Sequence, residues 1–263
     1  EVRQLISEVT HEHMFVDMLA DEDATVPDGI VQTYKVVPTE DMTAAFWQCV
    51  VSAKTHFQAP PKIVAIFLTG RVAAYYAEAF RRSDESLEVF EIHSRLKQQE
   101  RTAQSDGFRS ASRGILFTSD VTSRGLDYPG VTAVIQVGAP DGRDEYIHRV
   151  GRTGRADSEG LGVLLLHDFE RDFLAQISDL QISEDGLEVV DTPDFSSMDI
   201  GANVKAQAYY SRINHVLRHG EGLDVLEVFR EGSRFAASIG ALDEDGRPPP
   251  LTEQNAERYG VAD

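Results

Sequence analysis

The run Lys62-Ile63-Val64-Ala65-Ile66-Phe67-Leu68 decides the fold. It carries one charge, at its first position, and is apolar at every position after it. Neither side of a chain with period two would then face water. Pro60-Pro61 closes off what precedes it, and Gly70 follows shortly after. The run is too short for a buried helix and rich in β-branched and aromatic residues, so it reads as a strand covered on both faces. Antiparallel sheets commonly leave one face wet. Strands of this kind belong to parallel sheets with a helical layer on each side.

Outward from this strand the same alternation repeats. Ile30–Val37, Leu87–Ile92, Gly114–Thr118, Val131–Val137 and Gly160–His167 read as strands; Asp41–Phe57, Val72–Arg82, Leu96–Arg109, Arg143–Arg152 and Asp168–Leu180 read as helices. The order is that of an α/β domain over residues 30–181. Sheets of this class place their ligands in the loops after the carboxyl ends of the strands. From 182 the chain changes character. Ser183–Asn203 is acidic and turn-rich, and two amphipathic helices around Gly220–Gly222 follow; Gly246-Arg247-Pro248-Pro249-Pro250 then breaks the chain before a last short helix. Residues 182–263 thus form an acidic connector and a small, mostly helical extension.

The protein has 263 residues and a formal net charge of -19, with pI near 4.7. Taken whole, that acidity argues against a polyanionic partner. Its distribution says otherwise. Residues 1–41 hold 10 acids and 2 bases, residues 42–166 hold 14 and 15, and residues 167–263 hold 20 and 8, giving -8, +1 and -12. Between Arg95 and Arg155 there are 10 bases against 7 acids, and nine of the ten are arginine. A single cysteine, Cys49, excludes an internal disulfide and a thiolate zinc site. No apolar run reaches the length of about 18 residues that a membrane span needs, so no membrane association is expected.

Three segments carry chemistry. The first is His148-Arg149-Val150-Gly151-Arg152-Thr153-Gly154-Arg155, at a helix end between two buried strands. A solvated helix end has no need of four ionisable side chains in so short a space. Arg152 and Arg155, three apart, would share a helical face and grip a polyanion with forked, charge-assisted bonds. The second is Ser119-Asp120-Val121-Thr122-Ser123-Arg124-Gly125-Leu126-Asp127, whose hydroxyls and glycine at a strand's carboxyl end suit phosphate contact. Asp127 suits a sugar hydroxyl. The third is His93-Ser94-Arg95-Leu96-Lys97-Gln98-Gln99-Glu100-Arg101, a helix start with bases near it, which taken alone reads more readily as an ordinary solvated helix start than as an anion site.

Together these residues resemble the second RecA-like domain of superfamily 2 helicases, the DEAD-box RNA helicases in particular. HRVGRTGR matches that family's HRxGRxxR; SDVTSRGLD resembles its TDVAARGLD; HSRLKQQER looks like HGxxxQxxR; and Ile66–Arg71 (IFLTGR) sits where the family has a strand-end RNA contact. Order and spacing agree over about residues 30–180. The wording VIQVGAP (Val134–Pro140) and the helical extension look most like the fungal mitochondrial and plant organellar subgroup that assists intron splicing. An intracellular setting, a mitochondrion or another organelle, is expected from that resemblance.

The resemblance implies a RecA-like sheet flanked by helices, an ATP-dependent RNA helicase and ATP hydrolase, and a role for each matched residue. Arg152 and Arg155 match the catalytic arginines that reach the ATP γ-phosphate across an interdomain cleft, a contribution of roughly 10³–10⁵ in rate. Gly125 and Asp127 join them at ATP. His148 and Arg149 match residues that couple the two RecA-like domains. Thr69, Arg71, Ser94, Gln98, Arg101, Ser119, Arg124 and Gly125 match RNA contacts. Ser94 replaces the family's glycine and Ser119 its threonine. None of the five lysines follows a glycine, and the magnesium-binding acidic box is missing. In the family both the phosphate loop and the Mg2+ ligands lie in the first RecA-like domain, so that domain is an expected partner together with RNA. Residues 1–29 then read as its end plus a linker, and the chain alone is expected to be inactive. The alternative is a degenerate, non-catalytic helicase module serving as a protein-interaction scaffold. Asp21-Glu22-Asp23-Ala24, His11-Glu12-His13 and Gly160-Leu161-Gly162 are decoys: a scrambled acidic linker, a pair without zinc spacing, and a strand start with no third glycine.

Overall fold

The computed structural model describes residues 25–57, 59–83, 86, 88–119, 128–154, 159–185, 190–220 and 222–251. Strand β1 (Ile30–Val37) is followed by a 3-10 turn, Thr39–Asp41, and by α1 (Met42–His56). Then come β2 (Lys62–Phe67), α2 (Gly70–Ser83), β3 (Val89–Ile92), α3 (Gln98–Ser110), β4 (Gly114–Ser119), β5 (Ala133–Val137), α4 (Arg143–Val150) and β6 (Gly160–His167). A 3-10 run (Asp168–Ile177), β7 (Ile182–Glu184), a second 3-10 turn (Phe195–Ser197), α5 (Ala202–His219) and α6 (Val225–Ser238) complete the order. All seven strands are parallel, in the order β3-β4-β2-β5-β6-β1-β7.

The decisive run behaves as its composition demands. Every residue of β2 is buried, and its side chains alternate between two cores. Ile63, Ala65 and Phe67 face α1 and α2, while Val64 and Ile66 face α3. On the first face Phe46 lies edge-to-face with Phe67 (5.3 Å), Tyr76 (5.2 Å) and Phe80 (5.2 Å). Lys62, the strand's one charge, is also buried. Its Nζ donates to the carbonyls of Arg109 (3.2 Å) and Pro129 (3.0 Å) and lies over the Phe108 ring. Burial, seconded by Arg109, pulls its ammonium below the usual lysine range.

The extension belongs to the same body. Phe195, Ile200, Ala208, Phe235 and Ile239 enter the core built on α1 and α2. Trp47, only half-buried, sits at this seam and donates from Nε1 to the Asp191 carbonyl (3.1 Å). The extension is therefore a buttress laid on one helical face of the sheet.

Three expectations are corrected. The expected helix 168–180 is a 3-10 run, because local side chains compete for its first amides. Glu170 accepts from the His167 amide (2.9 Å) and Asp168 from that of Phe169 (3.0 Å). Ile182–Glu184, read as the start of a connector, is the edge strand β7. It is held by the Asp185 amide on the Tyr34 carbonyl (2.7 Å) and the Thr33 hydroxyl on Asp185 (3.2 Å). The sheet thus runs three residues past the boundary at 181. The expected helix 143–152 stops at Val150, where the Gly151 amide returns to Ile147 (2.9 Å), so Arg152 stands on a turn and not on a helical face. The last short helix, the linker over residues 1–24 and both acidic decoys lie outside the described residues.

Candidate nucleic-acid and nucleotide sites

The sequence-predicted residues fall at opposite ends of the sheet. At the carboxyl ends of β2, β3 and β4, three chain segments meet around Gly70. A Cβ there would stand 2.8 Å from His93 Cβ and 3.7 Å from Ser119 Oγ, so the α2 amino end lies close against both neighbouring strands. Thr69 caps α2, its Oγ1 accepting from the Val72 amide (3.3 Å) and its carbonyl from Ala73 (3.1 Å). Arg71 is half-buried, and burial together with Arg95 lowers its guanidinium from the ordinary arginine value. A guanidinium at a helix amino end makes a local site for anions.

Around them stand the other expected contacts. Ser94 is exposed on the turn after β3, Gln98 is exposed in the first turn of α3, and Ser119 is buried at the end of β4. His93 is buried; its Nε2 lies 3.3 Å from Glu91, and its Nδ1 accepts from the Arg95 amide (3.3 Å), which fixes the turn that presents Ser94. Arg101 is half-buried, and its Nε is enclosed without a hydrogen-bond partner among the described residues. Thr69, Arg71, Ser94, Gln98, Arg101 and Ser119 therefore share one end of the fold. Sequence reading passed over Gly70, His93 and Arg95, although all three lie inside the quoted segments. What singles them out is the convergence of three strands, which has no signature in any one segment.

The arginine turn lies at the other end. Thr153 is fully buried and donates from Oγ1 to the Val131 carbonyl (2.8 Å). Gly154 takes φ +64° beside Ile30, and a Cβ on Gly160 would stand 2.7 Å from the Gly154 amide nitrogen. Val131, Ile30 and Gly160 all mark amino ends of strands. The carboxyl-end rule thus holds for the first cluster and fails for Arg152, which is half-buried on this turn. His148 is exposed on α4. Arg149 is not: it is 2% exposed and its Nε lies 3.5 Å from Glu145. Arg155, Arg124, Gly125 and Asp127 lie outside the described residues. The segment holding the last three has its flanks at the two ends of the sheet, Ser119 after β4 and Tyr128 against Phe108 and α3. Among the described residues no group of three or more metal-ligating side chains occurs, and no helix is long and apolar enough to cross a membrane.

The helicase conserved C-terminal domain family matches residues 48–157. A probable DEAD-box ATP-dependent RNA helicase 48 of Arabidopsis thaliana is 34% identical over 273 residues, covering 99% of this chain and 32% of the relative. DEAD-box ATP-dependent RNA helicase 48 of Oryza sativa subsp. japonica is 35% identical over 270 residues, with 100% and 32% covered. The chain spans about a third of the length of the curated relatives it matches. Among solved structures, the DEAD-box helicase Mss116 bound to ssRNA and UDP-BeF superposes with a TM-score of 0.80 at 19% identity, covering 99% of this chain and 54% of that one. Mss116p DEAD-box helicase domain 2 bound to an RNA duplex gives 0.70 at 19% identity, covering 89% and 94%. These likenesses establish the RecA-like fold.

Proposed function

We propose that this chain, which is the C-terminal RecA-like domain of a DEAD-box RNA helicase together with a helical extension, forms half of an ATP-driven RNA-remodelling engine. One observation carries the reading: the described residues matched to RNA and the turn bearing Arg152 occupy the two ends of a single sheet. The cluster at the carboxyl ends of β2, β3 and β4 offers hydroxyls, amides and guanidiniums to phosphate and ribose, contacts that carry little sequence information. The turn at Arg152 offers a guanidinium to the charge that develops on a transferring phosphoryl group. The nucleotide would be shared with a first RecA-like domain supplying the phosphate loop and Mg2+ ligands, for which this chain has no residues in pattern. RNA strand separation would then follow closure of two domains, and this chain alone would hydrolyse no ATP.

The test is made in the full two-domain protein. Arg152→Ala is expected to cripple RNA-stimulated ATPase while RNA affinity largely survives. Arg101→Ala is expected to weaken RNA binding and lower its salt slope by about 0.7 for the one lost contact. Equal damage to both activities from both changes would overturn the division of roles. The wording of β5 and the helical extension support the organellar subgroup, and a fluorescent fusion of the full protein that stays in the cytosol would refute it.

A further inference from the structure

Glu91 lies outside every segment matched to a ligand, yet it touches the RNA cluster through one side chain. It stands on β3 between Arg81 of α2 and His93 at the strand's carboxyl end. Arg81 donates from Nη2 to Glu91 Oε1 (3.0 Å), and Glu91 Oε2 lies 3.3 Å from His93 Nε2. The Glu91 backbone is held as well, its amide donating to Gln104 Oε1 on α3 (3.0 Å). Burial acts to raise this carboxyl, but His93 and Arg81 outweigh it and hold it below the usual carboxylate range. On its other side the His93 ring accepts at Nδ1 from the Arg95 amide (3.3 Å), so that nitrogen carries no proton. The ring's proton therefore sits on Nε2, where it meets an ionised carboxylate that can only accept. The Leu96 amide returns to the His93 carbonyl (3.2 Å) and closes a four-residue turn with Ser94 and Arg95, both exposed, at its centre.

We propose that Glu91 and His93 are positioning residues of the RNA cluster: the carboxylate fixes the tautomer of the imidazole, and the imidazole fixes the turn that offers Ser94 and Arg95 to a phosphate–ribose backbone. Each step is a direct contact. His93 is 4% exposed and cannot swing away, because it packs on the amino end of α2, where a Cβ on Gly70 would stand 2.8 Å from its own Cβ. The opposite tautomer would set a ring N–H against the Arg95 N–H, two donors face to face, and leave Glu91 without its second donor. A histidine that merely filled the core would be indifferent to that exchange. One net hydrogen bond lost from the turn corresponds to about a three- to tenfold loss of affinity. The effect on affinity rests on reading this cluster as an RNA site; the effect on the turn does not.

Three variants and two kinds of readout test this. His93→Phe keeps a ring and loses both nitrogens, His93→Asn keeps an acceptor near the place of Nδ1, and Glu91→Leu removes the carboxylate. In this chain, the nitrogen-15 shifts of the His93 ring are expected to show Nε2 protonated and Nδ1 bare, and Glu91→Leu to weaken that preference. Hydrogen exchange at the Arg95 amide is expected to quicken about threefold or more in His93→Phe and in Glu91→Leu, and to return close to the wild-type rate in His93→Asn. In the full two-domain protein, with oligouridylate as the RNA, the half-saturating RNA concentration of the ATPase is expected to rise about three- to tenfold in His93→Phe and Glu91→Leu, with kcat changed less than about twofold, and His93→Asn to recover most of it. A proton found on Nδ1 in the wild type, an Arg95 amide indifferent to all three changes, or a His93→Asn protein no better than His93→Phe would overturn the proposal. Should His93→Phe fail to fold, Glu91→Leu and His93→Asn carry the same comparison against the wild type. A wild-type protein that binds no oligouridylate would refute the RNA reading, while the ring nitrogens and the Arg95 amide still report whether Glu91 and His93 hold the turn.

Discussion

Gly162, in the middle of β6, is where α4 rests on the sheet, and enlarging it is a direct test of how the arginine turn is held. A Cβ at this position would stand 2.3 Å from Val150 Cγ2, against the roughly 3.5–4.0 Å at which carbon atoms sit comfortably. Val150 is fully buried and forms the last turn of α4, so it has no free volume to rotate into. Either β6 or the helix end must give way. Overpacking of this size destabilises by about 1–3 kcal/mol. For a chain of 263 residues that is a fall in Tm of roughly 3–10 °C. Val150→Ala alone removes two methyl groups and should cost about 1.6 kcal/mol plus a cavity term. Combined, the added methyl occupies space that the removed ones leave. Urea unfolding followed by circular dichroism should therefore show the double variant at least about 1 kcal/mol more stable than the sum of the singles predicts. Additivity within about 0.5 kcal/mol, or a Gly162→Ala protein as stable as the wild type, would mean that α4 does not bear on β6 as described.

Two further changes probe the seam between sheet and extension. Burial holds both His167 and His215 below the ordinary histidine value, with Arg212 adding to the first and His219 to the second, which is lowered to about 4. The unfolded chain then takes up protons first, so stability should be lost as pH falls from about 6.5 towards 4, by up to roughly 3 kcal/mol for His215. Raised by burial, Glu170 opposes this slightly; His215→Gln should flatten the slope of stability against pH over that window, and an unchanged slope would refute the assignment. Tyr75 is fully buried and its hydroxyl has no hydrogen-bond partner among the described residues. Tyr75→Phe should accordingly leave Tm unchanged or raise it, by the equivalent of about 1 kcal/mol; a marked fall would reveal a partner for that oxygen.

The strands that were plain in the sequence are those buried on both faces, because unbroken apolar runs such as 62–68 and 160–167 admit few other readings. Ile182–Glu184 was not legible: three residues show no periodicity, and what makes them a strand is the Asp185 amide meeting Tyr34, far away in the chain. Arg212 was hidden for the same reason. On a helical wheel it is one arginine among polar residues, and only Thr39, His167 and Glu231, from three distant segments, make it a buried charge. The capping glycine at 151 was visible, yet the run of basic residues around it read as one continuous helix.

The placement of Arg152 was open to deduction but was masked by a general rule. A helix that leaves the carboxyl end of one parallel strand and feeds the amino end of the next must finish at the amino ends, and α4 connects β5 to β6 in that way. Its terminal arginines therefore lie where the carboxyl-end rule says no ligand should be. The six residues of β2 rise about 3.3 Å each, so the two candidate sites are separated by roughly 17–20 Å. That exceeds twice the screening length of about 8 Å at physiological salt, so the cationic cluster and the arginine turn scarcely feel one another's charge. A close-packed sheet buried on both faces does not bend to carry a signal either. On the proposed assignment of the two sites, coupling between RNA and nucleotide must then pass through what touches both ends. In the proposed two-domain protein that is a first domain closing on both ends at once. An enzyme arranged in this way would show no communication between its two sites in the isolated half, and would acquire it only on assembly.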